Sequence, residues 1–139
     1  MVRFSDSELL FALRENERFS FVNLAKKFGV TETAIRKRIR SLEKKGIIKG
    51  YTINIDYKKL GFDITAIIGI DTLPEKLFQI IEDLKKEDVI SIYTSSGDHM
   101  LLIEKCFKNT SELQKYIWTL QKKEDITKVC PAIIIDKIK

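Results

Sequence analysis

At 139 residues with 44% hydrophobic content, the chain can bury one ordinary core or two compact ones, which excludes a disordered polypeptide. Its net charge of +5 is unevenly placed: residues 1–60 hold 14 Lys/Arg against 7 Asp/Glu and residues 61–139 hold 11 against 13, so an anion-binding module followed by one with another task is expected. No export signal follows Met1 and no apolar run approaches the roughly 20 residues of a bilayer span, so a soluble, cytoplasmic protein without membrane partners is expected.

The first helix is announced by S-D-S-E at residues 5–8, a capping box in which the Ser5 hydroxyl accepts from the Glu8 amide and the Glu8 carboxylate reaches back. Phe4 and Leu9 stand at hydrophobic-staple positions, Leu9, Leu10 and Leu13 give the apolar stripe, and the helix is predicted to end near Asn16. Ser20 starts a second, short helix with Phe21, Leu24, Ala25 and Phe28 inward and Gly29 as its left-handed terminator. Thr31 opens a third only two residues later, the tight junction of a helix-turn-helix. From Thr31 to Lys45, Ile35, Ile39 and Leu42 form one face, while Thr33, Arg36, Lys37, Arg40 and Lys44 gather on the other.

Gly46 ends that helix, and residues 47–55 alternate as a strand, predicted to serve as a wing or a tether. Asp56–Gly61 is the expected linker, with a domain boundary near residue 60. Beyond it the periods run strand (62–72), helix opened by Pro74, strand (89–95), strand (100–107), helix capped by Asn109 with Glu112, and strand (126–138). The order βαββαβ is the ferredoxin-like arrangement, so the fold class is α+β: an N-terminal helix-turn-helix of winged-helix type followed by a ferredoxin-like domain. Helices cover one face of such a sheet; self-association is the simplest cover for the other.

Lys and Arg supply most phosphate contacts, and forked donors such as Arg read base edges in the major groove. Thr33, Arg36, Lys37 and Arg40 are therefore the expected groove residues, Ser20, Lys44 and Lys49 the expected phosphate contacts, and Thr31 at the helix start belongs to the same interface with double-stranded DNA. Cys106 and Cys130 are isolated in apolar surroundings and are expected to be buried, reduced thiols. His99 is the only histidine; without a Cys or acidic cluster at ligand spacing, a metal site or a histidine relay is not expected, and His99 reads as a surface or interface residue. Trp118 lies off its helix stripe and fits either a partner contact or a core edge. There is no phosphate-cradling glycine loop, so neither a cofactor nor an enzyme is expected.

Taken together, F-S-D-S-E-L-L-F-A-L-R-E-N-E-R-F-S at the start, N-L-A-K-K-F-G-V-T through the turn, I-R-K-R-I-R-S-L-E-K-K-G-I-I-K-G-Y-T after it and the distal S-G-D make the whole chain resemble the Lrp/AsnC, or feast/famine, transcription regulators of bacteria and archaea. The resemblance implies a DNA-binding regulator, with pairing of chains through the sheets into homodimers and of dimers into octamers. It also implies an amino-acid effector near the glycine-acid hairpin, here Ser96, Gly97, Asp98, His99 and Met100, and control of amino-acid metabolism. Two positions depart from the family pattern. Met100 replaces the second acid of G-D-x-D, and Cys130 with Pro131 stands where the last strand usually offers a hydroxyl. Two other readings stand beside this one: a low-specificity architectural DNA-binding protein, and an amino-acid-binding module serving an enzyme.

Overall fold

The computed structural model describes residues 4–15, 18 and 20–139. The chain divides into two compact units, residues 1–54 and 55–139.

The first unit is three helices: α1 (Asp6–Glu15), α2 (Phe21–Phe28) and α3 (Glu32–Lys44). Each begins at a hydroxyl cap. The Ser5 Oγ accepts from the Glu8 amide at 3.1 Å while Glu8 accepts from the Ser5 amide at 2.7 Å, and the hydroxyls of Ser20 and Thr31 each accept at 3.1 Å from an amide three residues on. Such caps satisfy amides that have no partner within the helix. Gly29, at φ 66°, ends α2 in the left-handed region and lets Thr31 cap α3 two residues later. The predicted end of α1 at Asn16 lies outside the described residues. Leu9, Leu13, Leu24, Ile35, Ile39 and Leu42 close a core in which Phe4 stacks on Phe28 with ring centroids 4.5 Å apart.

Arg38 also belongs to this framework. Its Nε donates to Asp6 Oδ1 at 2.8 Å, one terminal nitrogen donates to the Phe4 carbonyl at 3.0 Å, and the guanidinium lies over the Phe4 ring. A cation in the middle of the basic helix is thereby turned inward to tie α3 to the start of α1.

Residues 47–55 form no strand. Their alternation describes a pleated segment, but a strand needs a ladder partner, none pairs with it among the described residues, and Tyr51 and Ile53 lie exposed. The expected linker also has structure of its own. Asp56 Oδ1 accepts from the Lys59 amide, residues Lys58–Leu60 make a 3-10 turn, and Gly61 closes it at φ 97°. This stretch groups with the second unit.

The second unit is ferredoxin-like: β1 (Ile64–Thr72), α4 (Leu77–Lys85), β2 (Ser91–Thr94), β3 (Leu101–Phe107), α5 (Thr110–Gln121) and β4 (Ile126–Ile133). The strands pair antiparallel in the order β2-β3-β1-β4. Pro74 opens a 3-10 turn ahead of α4 rather than the α-helix itself. Asn109 Oδ1 accepts from the Glu112 amide, and Glu112 reaches back to the Lys108 amide, one residue before the expected one. β4 stops at Ile133, five residues short of the predicted end, because β1 offers no partner beyond the Ile134 amide bonded to the Thr65 carbonyl.

Alternation sends Ala66, Ile68 and Ile70 of β1 with Leu101 and Ile103 of β3 under the helices, where Ile80, Leu84, Leu113 and Leu120 complete the core. The opposite face carries Thr65, Ile67, Gly69 and Asp71, with Leu102, Cys106 and Cys130 as their cross-strand neighbours. Both cysteines are free but half-buried rather than buried, because they lie on this uncovered face. Trp118 is exposed, with the Lys122 ammonium 3.7 Å from its ring centroid.

Candidate nucleic-acid interface and the distal hairpin

Helix α3 presents one outer face. Thr33, Lys37, Arg40 and Lys44 recur at steps of four, three and four and so share a row, with Arg36 one turn before Arg40. All are exposed, and none of the four cations pairs with a carboxylate among the described residues. Thr31 and Ser20 are exposed at the starts of α3 and α2, each with its oxygen holding a backbone amide, and each hydroxyl keeps its proton to donate outward. Lys49 is exposed beyond the end of α3. One contact on this face has no counterpart in the helical pattern: the Arg36 guanidinium lies over the Phe21 ring, 4.7 Å from its centroid.

The structure separates the five hairpin residues into two groups. Ser96, Gly97 and Asp98 are exposed at the tip, where the Gly97 amide donates to Ser95 Oγ. His99 and Met100 turn back onto β1. His99 Nδ1 lies 2.9 Å from Asp71 Oδ2, the Met100 amide donates to Asp71 Oδ1 at 2.9 Å, and the Thr72 amide donates to Met100 Sδ at 3.5 Å. The His99 and Asp71 side chains are only 19% and 20% exposed, so of the two places expected for His99 the open surface is excluded. Its ring lies on Gly69, the one residue of β1 without a side chain. Asp71, the partner that organises all this, is 28 positions away and carries no local motif that could have found it.

The hydrogen bond from His99 holds the Asp71 carboxyl below its ordinary value, with the Met100 amide and Lys128 adding to it against the opposing effect of burial. A depressed carboxyl contributes stability above its unfolded value, near 3.9, and loses it as pH falls through the lower folded value. The stability difference between the native chain and Asp71→Asn is therefore expected to shrink below about pH 4. Thermal melts at stepped pH check this; a difference that does not change with acid contradicts it.

Among the described residues no group of three His, Cys, Asp or Glu could hold a metal ion, and no helix is long and apolar enough to cross a membrane.

Residues 5–49 match the winged helix-turn-helix DNA-binding family. The HTH-type transcriptional regulator LrpA of Pyrococcus horikoshii is 46% identical across the whole of both chains. Among solved structures, E. coli AsnC superposes with a TM-score of 0.81 at 26% identity, covering 99% of this chain and 96% of its own. A transcriptional regulator from Neisseria meningitidis, solved as its L-Met complex, superposes with a TM-score of 0.87 at 17% identity, covering 99% and 93%.

Proposed function

Because the chain belongs to the Lrp/AsnC family of DNA-binding transcriptional regulators, we propose that it controls genes of amino-acid metabolism by laying the outer face of α3 in the major groove. In this reading Thr33, Arg36, Lys37 and Arg40 face base edges, and Ser20, Thr31, Lys44 and Lys49 meet the flanking phosphates. The observation that carries it is the unpaired charge of that face. Four exposed cations without carboxylate partners among the described residues exchange only counterions for phosphates, with no salt bridge there to break first.

The proposed effector is an amino acid held at the hairpin of Ser96, Gly97, Asp98, His99 and Met100. The L-Met complex of the Neisseria meningitidis regulator, which has the same fold, supports it. Asp98 is the exposed acid there. With Asp71 already bonded to His99 and Met100, one charge-assisted bond to a ligand's ammonium group is missing relative to a two-acid hairpin, a loss of about 1.5–3 kcal/mol, or roughly tenfold to a hundredfold in affinity. Pairing of two chains through the uncovered sheet face, and of dimers into octamers, completes the proposal; exposed Ile67, Tyr93 and Ala132 leave apolar surface there for it.

Selection of bound fragments from genomic DNA, followed by titration of an enriched fragment and a random duplex, tests the reading. Arg36→Ala and Arg40→Ala are expected to cost about 1–3 kcal/mol on the enriched fragment and little on random DNA. Repeating the titration with each of the twenty amino acids at millimolar concentration is expected to shift retention for one or a few. Equal weakening on both DNAs would point to the architectural reading, and no retention at moderate salt to a module that serves an enzyme.

A further inference from the structure

The cations of the α3 face are not equivalent. Lys37, Arg40 and Lys44 are exposed and, among the described residues, have no hydrogen bond, ion pair or ring contact to hold them, whereas the Arg36 guanidinium lies over the Phe21 ring. That ring is itself fixed. Phe21 is the first residue of α2, directly after the Ser20 cap, whose hydroxyl holds the Asn23 amide and whose carbonyl accepts from Leu24. It is half-buried and packs against the core of the first unit. A cation held over a ring face is restrained in position, while a guanidinium makes its hydrogen bonds in its own plane, so holding Arg36 on the ring does not use up its N–H donors.

From this geometry we infer that Phe21 is a specificity-determining positioning residue: its ring pre-orders Arg36 so that the fork meets a base edge in one orientation. Bidentate recognition of a guanine edge demands such orientation, whereas a phosphate accepts a cation from many directions. Arg36 is accordingly the principal base-reading side chain, and the unsupported Arg40 discriminates less. The inference rests on the proposed reading of α3 as the helix in the groove.

The test uses the full chain on an enriched genomic fragment and a random duplex, with melting temperature followed in parallel. Phe21→Leu keeps an apolar side chain against the core and removes the π face. It is expected to lower the ratio of the two affinities roughly threefold to thirtyfold while the salt dependence stays unchanged, since no phosphate contact is lost. Phe21→Tyr is expected to retain the ratio. In the double variant with Arg36→Ala, Phe21→Leu should add nothing to the loss from Arg36→Ala alone. Should Phe21→Leu fail to fold, 3,4,5-trifluorophenylalanine at position 21 keeps the ring and withdraws its electron density, and the same loss is expected. A ratio kept by the Phe21 variants but lost in Arg36→Ala overturns the inference alone, as does additive loss in the double variant. A ratio kept in Arg36→Ala overturns it together with the reading of α3.

Discussion

Leu42→Ala is expected to strip the first unit of most of its stability while leaving that of the second unchanged. Leu42 is 1% exposed, and its carbonyl accepts from the Ile47 and Ile48 amides at 3.0 and 3.2 Å, where the chain leaves α3 through Gly46 at φ 73°. Truncating a fully buried leucine costs about 2–5 kcal/mol, the spread depending on how far the cavity collapses. A unit of this size holds only about 3–8 kcal/mol in all, so most of its stability goes. Hydrogen exchange of the α1–α3 amides should accelerate by between about thirtyfold and several thousandfold, with the β1 and β3 amides unchanged. Affinity for every DNA should fall together, unlike the selective loss from Arg36→Ala. Equal acceleration in both units would mean that they unfold as one.

The second large effect is expected at Gly69. A Cβ built there would lie 2.5 Å from Cγ and 2.9 Å from Nε2 of His99, and closer still to Cδ2, distances that real Cβ atoms essentially never show. Those atoms include the root of a ring tethered to Asp71, so relief requires either giving up the His99 to Asp71 bond or shifting β1 against β3 and β4. Overpacking of this kind costs about 1–3 kcal/mol and a charge-assisted bond about 1.5–3, against which alanine regains up to about 1 kcal/mol of strand propensity. Gly69→Ala is therefore expected to lose about 2 kcal/mol, roughly 8–16 °C in melting temperature for a domain of this size. The double variant with His99→Ala should be more stable than Gly69→Ala alone, because the clash goes with the ring. If His99→Ala only adds to the loss, the clash is not the cause.

What the sequence disclosed was what short-range chemistry dictates. Ser5 with Glu8, Ser20, Gly29, Thr31 and Asn109 stand where predicted because a cap or a left-handed turn involves residues at most a few positions apart. Ile35, Ile39 and Leu42 follow from helical periodicity in the same way. The alternation over 47–55 was misleading for the complementary reason: it reports a pleat, while a strand also requires an edge to pair with. Overextension of β4 past Ile133 has that origin too. The features that shape the two candidate sites were not legible at all. Arg38 to Asp6, Arg36 to Phe21 and His99 to Asp71 join residues 32, 15 and 28 positions apart, with no period to mark them. The helical period leaves Arg38 out of the outward row of α3, but only the fold shows that its partners are Asp6 and the Phe4 carbonyl.

The sheet order has a temporal consequence. The first unit is three consecutive helices, so it can assemble within milliseconds of leaving the ribosome. β1 is different. It lies between β3 and β4, and its β4 partner, beginning at Ile126, is synthesised some fifty residues after Thr72, a delay of several seconds at ordinary elongation rates. During that interval Ile67, Ile68 and Ile70 sit on a nascent strand whose β4 edge stays open even after β3 has been made, while a finished helical unit precedes it in the chain. Chains stalled before residue 126 would thus carry a folded α1–α3 unit on a sheet that still lacks its β4 edge.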